Sequence, residues 1–538
     1  MRSLIVQRLC LPFESELRSS LRRASTIATT NVLSGETDTP VKHDSDIKCP
    51  VRPFHDIPGP RGVHDIPYMG MAFHFKPFTQ YEASDLLGVF RTLHDKYGDI
   101  FKIRMGGKHA VFVSHPDYVA DLYKQPFKYH ERFQVAIQDV FYKRNNITAR
   151  GLSILQGEEW IKLRKPVQEK LLKPANITNY FPLVNAVAND FLENMEGKLE
   201  VHDAYHELLK YTSESIGMLT LNRRVGCIDG TCQIDFSSIF DKVFRIFQEA
   251  YFMPIQTFRF FRTKMYREFE SSLLIIYDFV LNIMKEQTQH LQKLDQEGKL
   301  ADYLEKEANF LYAMLSDSRM TPVQVGSVII DIYTGAITST ANGILFVLCD
   351  LALHSDKQEI LFEEINQIVG NSSEITKDQI GQMSYLRSCL KESQRLKYPV
   401  FLGGVRFLEC DGIIGDYQLP KGTQVFTNNE LMCNDERFFP RHKEYIPERW
   451  LRDDRSTGLK GLDNSQYIVR PFGVGPRQCP GQRIAEIQIL MCIAKIIQKF
   501  EVSLPIDVKQ IPWTRRVFAT PVNKVNLHMK LRHKTTNS

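Results

Sequence analysis

The spacing of hydrophobic positions predicts a mainly α-helical protein with minor β-structure. From about residue 80 to 400, apolar side chains recur three and four positions apart, which is the period of an amphipathic helix. The clearest such segments are Tyr81 to Tyr97, Pro116 to Tyr123, Glu158 to Leu172, Val184 to Met195 and Phe236 to Tyr251. Short β-type runs predict strands at both ends, namely Ile100 to Arg104, Ala110 to Val113, Gln424 to Thr427 and Val525 to His528.

The longest predicted helix opens at Thr321 and runs to about Leu353. Thr321 can cap its first turn, the following proline suits the first helical position, and Gln324 can complete a capping box. The middle of this segment is apolar on nearly all sides, as expected of a helix that crosses a protein core. Asp331, Asn342 and several threonines argue against a membrane span.

Length and composition indicate a large globular protein. The 538 residues are 43% hydrophobic and 24% charged, which excludes disordered, collagen-like and disulfide-scaffold proteins. The 68 Lys and Arg face 63 Asp and Glu, so a net charge of +5 gives no reason to expect a nucleic-acid partner. Ten scattered cysteines without a C-x-x-C pair predict free thiols in a reducing compartment. Because neither a repeat nor a further linker divides the body, one domain is predicted over residues 63–538.

The first 33 residues have the composition of a mitochondrial transit peptide. They carry five arginines against two glutamates, together with several serines and threonines. Their longest apolar run, Leu4 to Val6, is too short for a secretory signal. A disordered basic tail is the alternative interpretation. Residues 34–62 are polar and then Pro-rich, which predicts a linker that ends in a stiff hinge.

A cysteine loop carries the strongest chemical signal. Phe472, Gly475, Arg477, Cys479 and Gly481 lie in one Gly-rich turn directly before a predicted helix. Backbone N–H groups and the positive end of that helix would stabilise the thiolate, which is the metal-binding form of cysteine. The glycines permit close approach of a flat cofactor, and the arginine can pair with an acidic group on it.

At this loop the chain resembles the cytochrome P450 family, whose haem-ligand signature Phe-x-x-Gly-x-Arg-x-Cys-x-Gly is met at every position. The resemblance covers about residues 55–530, and other family motifs follow in the right order. Glu392 and Arg395 match the Glu-x-x-Arg pair of the family. Three residues apart on a helix they share a face, so they can form a buried structural ion pair that links to Arg449.

The resemblance implies a cytochrome P450 fold, a triangular helical domain with small β-sheets around haem b (iron protoporphyrin IX). Trp160 and Arg164 match the element that binds one haem propionate, and Arg406 stands where many members place another propionate ligand. The implied cofactor-binding set is completed by Phe472, Arg477 and Cys479, the last as the metal ligand. A thiolate ligand favours O–O cleavage, so the implied activity is a monooxygenase that hydroxylates C–H bonds.

Proton supply departs from the family pattern. The central helix of the family usually carries an acid followed by Thr, whereas here Thr338 takes the acid position and Ser339 the alcohol position. These two are the predicted catalytic residues. Asp331 lies eight residues before Ser339, roughly 12 Å along a helix, and is too far away to replace the acid directly. Either relayed water delivers protons past these hydroxyls or oxygen activation is slower than usual. The remaining alternative is that these hydroxyls have no catalytic role and serve only polar packing of the helix.

Electrons must come from a partner, because the sequence holds no dinucleotide-binding, flavin or iron–sulfur motif. The transit-like start resembles the mitochondrial branch of the family, whose members receive electrons from an acidic ferredoxin served by an NADPH-dependent ferredoxin reductase. Arg387 and Lys391 match the basic positions used for that docking, and Arg483 follows the haem loop on the same side. The alternative interpretation is that these basic side chains form an ordinary solvent-exposed helix face with no partner. The implied location is the matrix side of the mitochondrial inner membrane, with peripheral association.

The predicted substrate is apolar and steroid-like. An aromatic stripe occupies the segment that roofs the substrate pocket in the family, and core packing is its alternative interpretation. Its residues are Phe236, Phe240, Phe244, Phe247 and Tyr251. Segments such as Ile246 to Phe252 most resemble the arthropod ecdysone 20-monooxygenases, which predicts ecdysone 20-hydroxylation. The open alternatives are a xenobiotic-oxidising mitochondrial member, a haem isomerase or dehydratase, and a non-catalytic lipid-binding haem protein.

Overall fold

The computed structural model describes residues 51–532 apart from 83–84, 133–134, 172–177, 254–255, 307–309, 401–402, 452–458, 460 and 516. The predicted transit peptide and linker residues 34–50 lie outside the described residues. Residues 51–62, also assigned to the linker, pack on the body, since Ile57 is buried and Lys102 donates its backbone N–H to Pro58 at 2.8 Å. The folded domain therefore begins before residue 63. Its first part is the Pro-rich segment, which packs along the edge of a β-sheet.

The helices of the described ranges are numbered here in chain order. They are α1 Leu86–Tyr97, α2 Pro116–Lys124, α3 Ala136–Arg144, α4 Gly157–Leu171, α5 Phe181–Met195, α6 Ala204–Leu221, α7 Phe236–Phe252, α8 Lys264–Gln296, α9 Leu300–Lys306, α10 Phe310–Leu315, α11 Pro322–Leu353, α12 Ser355–Val369, α13 Lys377–Gln382, α14 Ser384–Leu396, α15 Asn429–Cys433 and α16 Gln482–Lys499. The predicted mainly helical class is confirmed.

The strands are short and form small sheets. They are β1 Ile100–Met105, β2 Lys108–Val113, β3 Glu200–Val201, β4 Gly404–Phe407, β5 Gly412–Ile414, β6 Tyr417–Leu419, β7 Gln424–Thr427, β8 Phe500–Ser503, β9 Trp513–Arg515, β10 Ala519–Pro521 and β11 Leu527–Leu531. The largest sheet has the order β1-β2-β7-β4, in which β2 and β7 are parallel and the other pairs antiparallel. Strand β11 lies between β3 and β8, while β5 pairs with β6 and β9 with β10.

The long helix α11 crosses the centre of the protein and packs against α6, α8, α14 and α16. Its predicted capping box is confirmed: the Thr321 hydroxyl accepts a hydrogen bond from the Gln324 N–H at 3.2 Å, and the Gln324 side chain accepts from the Thr321 N–H at 2.9 Å. By length and composition α11 could cross a membrane, but most of it is buried inside the protein, as in a core helix. It is therefore the element around which the helical body packs.

Candidate active site

Cys479 lies in a loop whose backbone turns twice through the left-handed region. Gly473 and Gly475 have φ angles of 75° and 76°, a conformation that residues with a side chain rarely adopt. The loop is closed by a hydrogen bond from the Cys479 N–H to the Phe472 carbonyl at 2.9 Å. Helix α16 begins at Gln482, so the cysteine precedes its N terminus as predicted.

The electrostatics of Cys479 correct one expectation from the sequence. Burial raises the pKa of its thiol, although the Gly481 N–H and the guanidiniums of Arg164 and Arg132 act in the opposite direction. For Cys479, burial therefore outweighs the Gly481 N–H and the two guanidiniums. A metal cation bound at Sγ offsets burial, since coordination deprotonates a thiol.

Four buried guanidinium groups gather near the cysteine loop. They belong to the three predicted residues Arg164, Arg406 and Arg477 and to a fourth, Arg132. Burial and mutual repulsion lower the pKa of Arg477 to about 8, and burial with the same repulsion lowers that of Arg132 to about 10. In the part of the chain that the structure describes, none of the four forms an ion pair with a carboxylate. The cluster is therefore a region of uncompensated positive charge.

Two hydrogen bonds and one contact with an aromatic ring hold three of these arginines around the site. Arg164 Nη2 donates to the Gln478 carbonyl at 2.5 Å, and Arg406 Nη2 donates to the Val474 carbonyl at 3.0 Å. The Arg477 guanidinium lies 3.7 Å from the ring centroid of Trp160, which is itself buried. The structure thus brings the predicted cofactor-binding residues of α4, β4 and the cysteine loop together.

The arginine cluster provides a test of whether haem b fits. Arg132 Nε and Arg477 Nη1 are buried, and neither has a hydrogen-bond partner among the described residues. Buried donors of this kind require acceptors, and a region of four guanidiniums requires negative charge. The two propionates of haem b would supply both, and the Cys479 thiolate would supply the metal ligand. The residues present therefore fit this cofactor.

Sequence reasoning misses Arg132, because no motif or spacing marks this loop residue. Its position is fixed through Gln156, which accepts a hydrogen bond from the Arg132 N–H at 3.2 Å and donates to the Arg132 carbonyl at 2.9 Å. The same Gln156 oxygen accepts from Arg477 Nη2 at 2.9 Å. One glutamine thus joins two guanidinium-bearing segments that are more than 300 residues apart in the chain.

Helix α11 presents an open stripe to the interior. Asp331, Gly335 and Ser339 follow one another at four-residue intervals, and each is partly accessible although the helix is a core element. A Cβ atom added at Gly335 would meet no atom of the described residues within 4 Å. The Ser339 hydroxyl donates to the Gly335 carbonyl at 2.7 Å. Arg132 interacts electrostatically with both Asp331 and Cys479, so its guanidinium lies near the stripe and near the cysteine loop.

The two predicted catalytic hydroxyls lie on different faces of α11. Ser339 belongs to the open stripe, whereas Thr338 is buried with the hydroxyl of Tyr205 on α6 beside it. Asn342 lies one turn further along the same buried face. Consecutive residues on a helix point about 100° apart, and here only Ser339 is partly accessible. The structure does not bring Thr338 and Ser339 together.

The predicted aromatic stripe divides between the core and a second, partly buried group. Phe236 and Phe240 on α7 are buried, and Phe236 contacts Tyr333 of α11 with 5.8 Å between ring centroids. Further along α7, Phe244 is only partly buried and packs edge-on against Phe518 at 4.9 Å. Tyr251 accepts a hydrogen bond from a glutamine of β7 at 3.2 Å. The whole stripe packs on the core, and its second half, Phe244, Phe247 and Tyr251, is less deeply buried than the first.

The predicted redox-partner residues differ in exposure. Lys391 on α14 is exposed, with its Nζ 5.8 Å from the ring centroid of Trp450. Arg387, one turn earlier, is half-buried and donates to the Ile380 carbonyl at 2.7 Å. Arg483 is exposed at the start of α16. Of the two positions on α14, Lys391 is therefore the more accessible to a partner.

The predicted structural ion pair is present and fully buried. Glu392 Oε1 lies 2.8 Å from Arg395 Nη2 and 3.3 Å from Arg449 Nε. Trp450 Nε1 donates to the other Glu392 oxygen at 2.9 Å, and Arg395 Nη1 donates to the Cys433 carbonyl at 2.9 Å. With each charge hydrogen-bonded as well as paired, this network joins α14 to the segment before the cysteine loop.

Replacing Glu392 by Ala should strongly destabilise the protein. The change leaves two buried guanidiniums without their carboxylate, and breaking a buried ion pair on one side costs about 3–5 kcal/mol. Denaturant unfolding measures the loss of unfolding free energy. Glu297→Ala, which removes an exposed carboxylate paired with Lys299, is the control and should have little effect. Equal effects of the two substitutions would contradict a structural role for the buried network.

Comparison with known proteins agrees with this geometry. The sequence profile of the family described as Cytochrome P450 matches residues 60–529. Ecdysone 20-monooxygenase of Drosophila melanogaster is 28% identical over 468 residues, covering 84% of this chain and 84% of the relative. The mitochondrial 1,25-dihydroxyvitamin D(3) 24-hydroxylase of Rattus norvegicus is 26% identical over 417 residues, covering 76% and 77%. Probable cytochrome P450 12b2, mitochondrial, of Drosophila melanogaster is 26% identical over 471 residues, covering 84% and 85%.

The family match spans most of the chain and includes every element of the site. The cysteine loop, the arginine cluster and the central helix α11 all fall within residues 60–529. Relatives whose names carry the word mitochondrial cover three quarters or more of this sequence. The chain therefore belongs to the cytochrome P450 family, and it is a haem b-dependent monooxygenase related to mitochondrial members of that family.

Proposed function

We propose that this protein is a mitochondrial monooxygenase that hydroxylates a steroid-like lipid, with ecdysone 20-hydroxylation as the specific reaction. The observation that carries the proposal is the relation, over 84% of both chains, to an enzyme named ecdysone 20-monooxygenase. A second relative is named for hydroxylating a vitamin D, which is also a largely apolar sterol derivative. The partly buried aromatic side chains Phe244 and Phe247 on α7 are the proposed apolar wall for such a substrate.

The roles proposed for the site residues follow from their positions. Cys479 is the metal ligand, while Arg132, Arg164, Arg406 and Arg477 hold the propionates. Trp160 supports this group through its contact with Arg477, and Phe472 closes the loop. When bound, the haem supplies the oxidising chemistry that hydroxylates C–H bonds.

Ser339 is the proposed hydroxyl nearest the reacting region. Its Oγ is fixed by donation to the Gly335 carbonyl, so its lone pairs face the open stripe of α11. Thr338 lies on the buried face beside Tyr205, and its proposed role is to pass protons toward Ser339 through water from behind the helix. The buried hydroxyl of Thr340, two residues further on, has no hydrogen-bond partner in the described structure, which is the condition under which buried polar groups bind water.

The proposed electron donor is an acidic ferredoxin served by an NADPH-dependent reductase. Lys391, Arg387 and Arg483 are the proposed docking residues, and electrostatic attraction would make their complex fast-forming and salt-sensitive. Peripheral association with the matrix face of the inner membrane is supported by two adjacent aromatic residues after α7. Phe260 and Phe261 expose 77% and 70% of their surface, respectively. Residues 1–33 are proposed as the transit peptide.

Reversing the charge of Lys391 should weaken the use of ferredoxin. We expect Lys391→Glu to raise the KM for ferredoxin by roughly tenfold, because a contact charge becomes repulsive to an acidic partner. Steady-state reduction of the enzyme at increasing ferredoxin concentration measures this change. Lys293→Glu, at an exposed position of α8, is the matched control and should leave the KM unaltered. An equal change in both variants would contradict docking at α14.

Ligand titration tests the proposed substrate class. Ecdysone should bind the purified haem-loaded protein and shift its absorption spectrum, whereas a planar aromatic toxicant such as benzo[a]pyrene should bind at least tenfold more weakly. The reverse order would favour a xenobiotic-oxidising member. Binding of ecdysone without NADPH-dependent product would favour a lipid-binding protein, and product formed without NADPH would favour an isomerase or dehydratase.

A further inference from the structure

Two cysteines that take no part in the site described above lie next to one another. Cys227 and Cys232 belong to the segment that connects α6 to α7, and both are free thiols in the structure. The side chain of Cys232 is in hydrogen-bond contact with the Cys227 thiol. Cys227 is buried, whereas Cys232 is partly accessible. The chain thus places a buried thiol beside a thiol that solvent can reach.

The backbone between the two cysteines closes on itself. The Cys232 N–H donates a hydrogen bond to the Gly226 carbonyl at 2.8 Å. The two ends of the turn approach so closely that a Cβ atom at Gly226 would lie 2.1 Å from Thr231 Oγ1 and 3.1 Å from the Cys232 nitrogen. Within the turn, Asp229 Oδ1 accepts from the Thr231 N–H at 2.9 Å and from its hydroxyl at 2.7 Å. These bonds bring positions 227 and 232 together.

A buried carboxylate fixes the first part of this turn to the helical body. Glu214 of α6 accepts hydrogen bonds from three successive backbone N–H groups at 2.9 Å each, those of Val225, Gly226 and Cys227. Burial raises the pKa of the Cys227 thiol, and the neighbouring Cys232 and Glu214 act in the same direction. Cys227 is therefore protonated and shielded, so a reagent from solvent meets Cys232 first.

We propose that Cys227 and Cys232 are a peroxide-sensitive dithiol that forms a reversible disulfide within the chain. Hydrogen peroxide oxidises the Cys232 thiol to a sulfenic acid, and one water is released. The Cys227 sulfur then attacks the Cys232 sulfur, the S–S bond forms, and the hydroxyl group leaves with the Cys227 proton as a second water. The two sulfurs lose two electrons in total, and the peroxide gains them.

The reduced pair is the resting state of this site. The free thiols in the structure agree with a reducing compartment, where disulfides are mostly transient and respond to oxidants. A thiol reductant reverses the modification, because its thiolate attacks the disulfide and is itself oxidised while both cysteines regain their protons. The modification is thus expected only while peroxide is present in excess over the reductant.

Peptide mapping of the full haem-loaded protein tests the proposal. The protein is treated with hydrogen peroxide and unfolded in N-ethylmaleimide, which labels every remaining thiol, and is then digested. Trypsin releases both cysteines in one peptide, residues 225–242. After oxidation this peptide should be unlabelled and lighter by two hydrogen atoms. Cleavage before Asp229 should leave its two parts joined until dithiothreitol is added.

Serine variants test the order of the two steps. In Cys227→Ser, oxidation should stop at the Cys232 sulfenic acid, which dimedone traps. In Cys232→Ser, Cys227 should remain a thiol, since it is buried and its partner is absent. Cys410→Ser is the matched control, because Cys410 is another partly accessible cysteine, and it should form the 227–232 disulfide to the same extent as the wild type. Thermal unfolding verifies the fold of each variant.

The wild-type peptide map decides the question even if a serine variant does not fold. N-ethylmaleimide on both cysteines of the peptide, at a peroxide dose that oxidises Cys410, would overturn the proposal. A 227–232 disulfide that forms only when peroxide is added after unfolding would also overturn it, since the folded turn would then have no part in bringing the thiols together. Oxidation of Cys227 in Cys232→Ser at the wild-type rate would contradict first attack at Cys232.

Discussion

Replacing Cys479 by Ala abolishes the ferrous–CO absorption band of a thiolate-ligated haem and all NADPH-dependent product. The loop holds the Sγ atom near the guanidiniums of Arg164 and Arg132, and within the family signature this cysteine is the only residue that can provide a thiolate. Alanine at this position keeps the backbone turn, since Gly473 and Gly475 are unaltered. Absorption spectroscopy of the dithionite-reduced, CO-treated protein measures the outcome, and circular dichroism verifies that the helices remain.

The matched control for Cys479 is Cys410→Ala. Cys410 is also a partly accessible free cysteine, but it lies in the loop between β4 and β5. We expect this variant to keep the thiolate spectrum and the activity of the wild-type protein. Retention of the same spectrum in Cys479→Ala would show that another residue ligates the metal, and the assignment of the site would be wrong.

The second large effect is expected at Arg132, where one substitution should move the stabilities of the apoprotein and of the haem complex in opposite directions. Arg132→Met removes a buried guanidinium whose Nε has no hydrogen-bond partner in the described structure and whose neighbours include Arg164 and Arg406. In the apoprotein this relieves repulsion and desolvation, so thermal stability should be unchanged or higher. In the haem complex it removes a charge-assisted hydrogen bond to a propionate, which is worth about 1.5–3 kcal/mol.

Transfer of haem to excess apomyoglobin measures this change. The free-energy loss corresponds to about 10–100-fold faster haem release or weaker haem binding. Arg319→Met is a suitable control, because Arg319 is an exposed arginine paired with Asp317 away from the site. An unchanged rate of haem loss in Arg132→Met would contradict the proposal that the four guanidiniums hold the propionates. A large loss of apoprotein stability would contradict the view that they repel one another.

Features encoded by local sequence are predicted well. The period of apolar residues places α2 at Pro116 to Tyr123, and the observed helix is Pro116–Lys124. The capping box of α11 is readable because Thr321 and Gln324 interact across a single turn. The start of α1 is less accurate: periodicity alone suggests Tyr81, but Asp85 accepts a hydrogen bond from the Gly88 N–H at 3.0 Å and begins the helix at Leu86.

Features that depend on long-range contacts are not predictable in the same way. Arg132 becomes part of the site only because Gln156 joins its loop to Arg477. The direction of Thr338 depends on how α11 is rotated against α6, and motif alignment does not contain that rotation. The direction of the Cys479 pKa depends on the balance between burial and donors such as Arg132 and Arg164, which lie on other segments of the chain. In each case the deciding partner is distant in sequence or on another element.

The measurement that tests the central claim most directly is turnover of ecdysone by the purified protein with ferredoxin, ferredoxin reductase and NADPH, followed by mass spectrometry. We predict a product that carries one added oxygen atom and requires NADPH, ferredoxin and O2. Omission of each component in turn provides the controls. No oxygenated product from a protein with a normal ferrous–CO spectrum, or a product that forms without NADPH, would contradict ecdysone hydroxylation by this enzyme.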